Sequence, residues 1–158
     1  MRSRRNAAHR APYRPDAVPG VVGILIISHG AFGEALIESA GHMLGRPLDD
    51  VRQLKVTAQD DPDALLAQAR ELVRQLDRGA GVLLMADIFG ATPGNITARL
   101  LAAGKVEGIS GASLPMLVRA LTYRECPIAT VVAKAISGGC EGVLRVPLFK
   151  LHNAATGS

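Results

Sequence analysis

Two unbroken apolar runs constrain this chain more than any other feature: Val21–Ile27 near the start and Gly81–Ala86 in the middle. Neither alternates with polar residues, so each reads as a strand covered on both faces. Strands of that kind belong to a parallel sheet with helices on either side.

The segments between and after these runs carry the complementary pattern. Gly33–Leu44 places Leu36, Ile37, Ala40, Met43 and Leu44 at helical spacing, and Val51–Val56 is a second strand. Asp61-Pro62-Asp63 signals a helix start, followed by Leu65, Leu66, Ala69, Leu72, Val73 and Leu76 as its apolar face. Thr92-Pro93 opens a third helix through about Leu101, and Lys105–Gly111 is a weaker fourth strand. Leu114–Leu121 and Ile128–Ile136 read as helices. Gly138-Gly139 is expected to end the latter before an extended piece, Val143–Leu148, which is compatible with an extra C-terminal edge strand.

This alternation predicts an α/β fold: a doubly wound, mainly parallel, flavodoxin-like sheet of order 2-1-3-4 with helices on both faces. Residues 21–148 then form a single domain, flanked by a flexible N-terminal extension (1–20) and a C-terminal tail (149–158). In such sheets, ligands sit outside the carboxyl ends of the strands where strand order reverses, here between strands one and three. Strand one runs into Ser28-His29-Gly30 and strand three into Ala86-Asp87. With neighbouring strands about 4.8 Å apart, His29 and Asp87 are expected side by side on one rim.

A carboxylate beside a histidine holds one ring N–H, fixes the tautomer and leaves the other nitrogen's lone pair for chemistry. Downstream of Asp87, Thr92 reads as an N-cap and Pro93 as the first helical residue, so the following amides suit an anion such as a phosphoryl group. Gly30 and Gly90 permit close backbone approach, and Ala91 and Asn95 complete the candidate phosphoryl-binding loop. The set suits a transiently phosphorylated histidine, because phosphoryl transfer needs mainly positioning and charge stabilisation. Each residue alone has a plain structural reading: a histidine after a strand, a helix cap, a loop carboxylate. His42 reads as a packing or surface residue of the first helix, and His9 and His152 fall in the tails.

Other chemistries fit worse. GxxxxGK[ST], a strand-linked GxGxxG, HExxH, GxSxG and clustered Cys/His are all lacking, so no cofactor and no metal is expected. Ser28-His29 stands where a phosphoaspartate receiver would carry an acidic pair. The formal charge of +4 belongs to the extension, where Arg2, Arg4, Arg5, Arg10 and Arg14 face only Asp16. The remainder is balanced, which argues against nucleic acid as the partner. No segment reaches the ~18 apolar residues of a membrane span. Cys126 and Cys140 lack metal or CxxC spacing and read as reduced thiols, consistent with a cytoplasmic protein.

Three segments carry a family resemblance. "IISHGAFGEALIESAGHMLG" resembles the amino-terminal motif of the mannose-family enzyme IIA domains of the bacterial phosphoenolpyruvate-dependent sugar phosphotransferase system. "MADIFGATPGN" resembles that family's second motif, and "GISGASLPMLVRAL" its third, in order over roughly Val21 to Val146. The resemblance implies a phosphotransferase component with a phosphohistidine intermediate. His29 would accept a phosphoryl group on Nε2 from the phosphohistidine of HPr and pass it to a IIB partner. Asp87 would hold the other ring nitrogen, and Thr92 would assist at the phosphoryl oxygens. It also implies a cytoplasmic homodimer in which a C-terminal strand crosses between subunits. Ser113 departs from the Asn often found there, and the basic extension is outside the motif set. A regulatory phosphorelay or binding module, and the phosphotransfer subunit of a dihydroxyacetone kinase, stand as alternatives.

Overall fold

Both apolar runs become central strands. β1 (Gly23–His29) and β3 (Val82–Ala86) lie side by side, flanked by β2 (Val51–Val56) and β4 (Val106–Ser110) in the order β2-β1-β3-β4. A computed structural model describes residues 20–148. Every strand pairing in the sheet is parallel, and the only antiparallel contact among the described residues is an isolated bridge, Ala102 to Val106. The extension through residue 19, the tail 149–158, and with them His9 and His152, lie outside the described residues.

Alternation along the strands divides the core into two layers. Ile24, Ile26, Leu83 and Met85 pack on one face beneath α1 (Phe32–Leu44), α4 (Leu114–Tyr123) and α5 (Ile128–Glu141). Leu25, Ile27, Val82 and Leu84 pack on the other beneath α2 (Pro62–Leu76) and α3 (Thr92–Leu100). Each fully buried Leu or Ile contributes about 1.5–3 kcal/mol, so an aliphatic core needs no tryptophan.

Local signals explain most boundaries. Asp61 caps α2 by accepting the Ala64 N–H at 3.0 Å, with Pro62 at the helix start. Gly45 ends α1 at φ +66, in the left-handed region open to glycine.

Two expectations are corrected. Gly138 and Gly139 do not end α5, which continues to Glu141. They serve packing instead: a Cβ on Gly138 would lie 2.7 Å from Arg119 Cβ and 3.0 Å from the Pro115 carbonyl oxygen, so their absence lets α5 press against α4. Val143–Leu148 forms no edge strand among the described residues, and Val143, Leu144, Val146 and Leu148 are exposed. A strand requires a ladder partner, and this segment has none within the described chain.

Candidate functional site

Six of the seven residues of β1 are buried, and the exposed one is its last, His29. The strand continues two residues beyond Ile27 because His29 stays in register with Val56 of β2. The chain then turns at Gly30, at φ +53, whose N–H donates to the Val56 carbonyl at 3.0 Å. That positive φ favours glycine and turns the backbone sharply, bringing α1 in from Phe32.

β3 ends beside this turn, with Ile27 paired to Ala86. Asp87 follows, and its Oδ2 accepts both from His29 Nδ1, at 2.8 Å, and from the His29 backbone N–H, at 2.8 Å. Its Oδ1 accepts the Ile88 N–H at 2.8 Å. The carboxylate side chain is 14% exposed and the imidazole 51%. Partial burial raises the Asp87 pKa, but hydrogen bonds from the His29 backbone, the His29 ring and Ile88 outweigh it, and the net shift is downward. Asp87 is therefore a firmly ionised acceptor. The ring donates from Nδ1 to it, which leaves Nε2 as the nitrogen with a lone pair.

The second half of the rim is the turn into α3. Gly90 adopts φ +81, and Ala91, not Thr92, occupies the N-cap position, in extended conformation and without a side-chain cap bond. Thr92 is the first helical residue, so the helix starts one position earlier than the sequence suggests, closed by the Asn95 N–H on the Ala91 carbonyl at 2.9 Å. The Thr92 and Gly94 amides accordingly have no intrahelical acceptor, while Pro93 carries no N–H at all. Among the described residues no hydrogen bond joins Thr92 to the His29–Asp87 pair; Asn95 is exposed on the first turn. Geometry thus joins His29 to Asp87 directly, and brings Gly90, Ala91, Thr92 and Asn95 to the same rim through the short β3–α3 loop.

Three roles were not assigned by sequence reasoning. Ile88 and Phe89 are 57% and 85% exposed, directly after Asp87, giving the rim an apolar shoulder. Ser28 is fully buried, and its Oγ accepts the Gly33 N–H at 3.0 Å. Ser113 caps α4 by accepting the Met116 N–H at 3.4 Å, so the position that departs from the family's Asn serves the helix start. His42 is exposed on α1. Cys126 is buried and Cys140 exposed, both as free thiols. No helix among the described residues is long and apolar enough to cross a membrane. A cavity of about 100 Å³ bordered by Gly23, Asp50, Arg52 and Arg124 lies at the opposite end of β1. His29 itself is half exposed at the other end of that strand.

Known proteins match this arrangement over most of its length. The family model EIIA-man, described as PTS system fructose IIA component, matches residues 23–136. The mannose-specific EIIAB component of the PTS system of Escherichia coli (strain K12) is 28% identical over 137 residues, covering 85% of this chain and 42% of the relative. The chain thus spans less than half the length of that relative. The fructose-specific EIIA component of Bacillus subtilis (strain 168) is 27% identical over 106 residues, covering 66% of this chain and 72% of that protein. Among solved structures, the mannose/sorbose specific IIA subunit from Enterococcus faecalis shares the fold with a TM-score of 0.73 at 21% identity, over 84% of this chain and 99% of that one. From the match across residues 23–136, the chain belongs to the mannose/fructose IIA family of the sugar phosphotransferase system.

Proposed function

We propose that this protein is a phosphocarrier, with His29 as the residue that holds the phosphoryl group. The observation that carries the reading is the 2.8 Å bond between His29 Nδ1 and Asp87 Oδ2 on a half-exposed ring. In the transfer, the Nε2 lone pair forms a bond to phosphorus as the N–P bond of phospho-HPr breaks, and the donor imidazole leaves with that electron pair. The Nδ1 proton stays in place, so positive charge develops on the His29 ring. Asp87 sits where it offsets that charge, and the Thr92 and Gly94 amides face developing charge on the phosphoryl oxygens. A IIB protein then takes the group by the reverse displacement. Thr92 acts through its amide and hydroxyl, and Gly30 and Gly90 border open space, where a Cβ at either would meet nothing within 4 Å.

Exposed Ile88 and Phe89 offer both protein partners an apolar contact beside the reacting nitrogen. A second copy of this chain fits the open edge of β4, with the exposed apolar stretch Val143–Leu148 of one subunit pairing along it. The family, and the lack of a membrane-crossing helix among the described residues, support a cytoplasmic carrier.

The test is incubation with phosphoenolpyruvate, enzyme I and HPr. One acid-labile phosphate per chain is expected, chased off by a IIB protein. A His29→Ala variant labelled as well as the parent protein contradicts the assignment.

A further inference from the structure

The turn that presents His29 has little packing around it. A side chain added at Gly30 would meet nothing within 4 Å, and the imidazole is half exposed. Hydrogen bonds must therefore fix the ring's position: Asp87 Oδ2 holds the ring itself at Nδ1, and three more hold the backbone that carries it. Two are on the strand side: His29 N–H to Asp87, and Gly30 N–H to the Val56 carbonyl. The third comes from the helix side. Ala31 is the N-cap residue of α1, at φ −88 and ψ 5, and has no side-chain oxygen with which to cap. Ser28, the residue before His29, supplies the missing acceptor from five positions upstream, where its buried Oγ takes the Gly33 N–H at 3.0 Å.

The fit beneath that bond is close. A Cβ on Gly33 would lie 2.8 Å from Ser28 Oγ and 2.8 Å from Gln53 Oε1, so Gly33 brings the helix onto both groups. Gln53 Oε1 is buried without a hydrogen-bond partner, and the Gly33 bond leaves the Ser28 hydroxyl proton unused. A polar contact here is worth more than on the surface, because nothing replaces it when it is lost.

We propose that Ser28 is a positioning residue for phosphoryl transfer: its hydroxyl ties the first turn of α1 to the end of β1 and so holds the His29 ring against Asp87. Its contribution to transfer rests on the phosphocarrier reading, whereas its hold on the ring does not. Ser28 touches neither donor nor phosphoryl group; it acts through the four-residue turn. With serine removed, the Gly33 amide loses its acceptor, the turn gains freedom, and His29 samples both ring tautomers.

The experiment compares the full chain with Ser28→Ala and Ser28→Cys, the latter keeping the volume but weakening the acceptor. Nitrogen-15 NMR of the His29 ring reports the tautomer, phosphorylation by phospho-HPr reports the rate, and thermal unfolding reports the fold. For Ser28→Ala the expected result is a loss of the Nδ1–H preference and a rate lowered about 10- to 100-fold. Tm should fall by roughly 3–8 °C, with the protein still folded at the assay temperature. Ser28→Cys should fall between, and decides the matter if the alanine variant does not fold. A lowered Tm with unchanged ring signals and rate overturns the proposal, since it makes Ser28 a plain structural cap. Wild-type protein that takes no phosphate at all overturns the phosphocarrier reading instead, while the ring signals still decide whether Ser28 holds the imidazole.

Discussion

A single oxygen of Asp87 holds His29 twice: Oδ2 lies 2.8 Å from both the backbone nitrogen and ring Nδ1. The carboxylate thus fixes where the residue sits and which tautomer it adopts. Asp87→Asn keeps the size and one acceptor but removes the charge that offsets a phosphorylated ring. The expected outcome is a transfer rate lowered about 10²- to 10⁴-fold with little change in fold, measured as the initial rate of labelling by phospho-HPr.

The same bonds set an acid limb. The Asp87 carboxyl lies below its ordinary value of 3.8 because the bonds from His29 and Ile88 outweigh partial burial. A depressed carboxylate contributes stability that is present above its ordinary pKa and is lost as pH falls through the folded-state value. Urea unfolding between about pH 5 and about pH 2 should therefore show a steeper loss for the parent protein than for Asp87→Asn. Glu71, bonded to Arg74 and Gln75, is also held low, at about 2, but lies on the exposed face of α2. Glu71→Gln should leave that limb nearly unchanged, because an exposed pair is screened.

The paired glycines of α5 give a contrast within one helix. Alanine favours a helix over glycine by about 1 kcal/mol, yet at Gly138 its Cβ would meet Arg119 Cβ at 2.7 Å and the Pro115 carbonyl. Gly138→Ala should therefore destabilise by about 1–3 kcal/mol through separation of α4 and α5. At Gly139 the clash is with Met116 Cε, the mobile end of a flexible side chain, at 2.8 Å. Gly139→Ala should be near neutral in the same urea titrations.

At the far end of the sheet, Arg124 is 7% exposed and donates to the Val22 carbonyl from Nε and Nη2, at 3.2 and 3.0 Å, and to Asp50 at 2.5 Å. It ties the end of α4 to the entries of β1 and β2. Arg124→Met should cost about 2–3 kcal/mol, with phosphorylation unaffected at temperatures where the variant is folded. Arg124→Lys should not restore the loss, because an ammonium cannot reproduce the planar fork.

The strand order and the His29–Asp87 juxtaposition were legible because apolar runs that do not alternate can only be interior strands, and parallel order fixes which ends share a rim. The three motifs in register identified the family for the same reason: they are the strand ends and helix starts of that rim. The features that escaped depend on contacts distant in sequence. Thr92 has the residue type of an N-cap, but the β3–α3 loop closes one residue earlier, at Ala91. Gly138-Gly139 looks like a helix end until α4 is seen against it. Ser28 caps α1 across a turn, outside the local spacing by which caps are recognised. Val143–Leu148 has strand composition, but a strand exists only with a partner edge.

The central claim is most directly tested by locating the phosphate. After incubation with phosphoenolpyruvate, enzyme I and HPr, the protein is digested under alkaline conditions, which preserve phosphohistidine, and its phosphopeptides are sequenced by mass spectrometry. The phosphate is expected on His29 alone, in the peptide that also contains Ser28 and Gly30. Phosphate on His42, on another residue, or on no residue while HPr is fully charged contradicts the account.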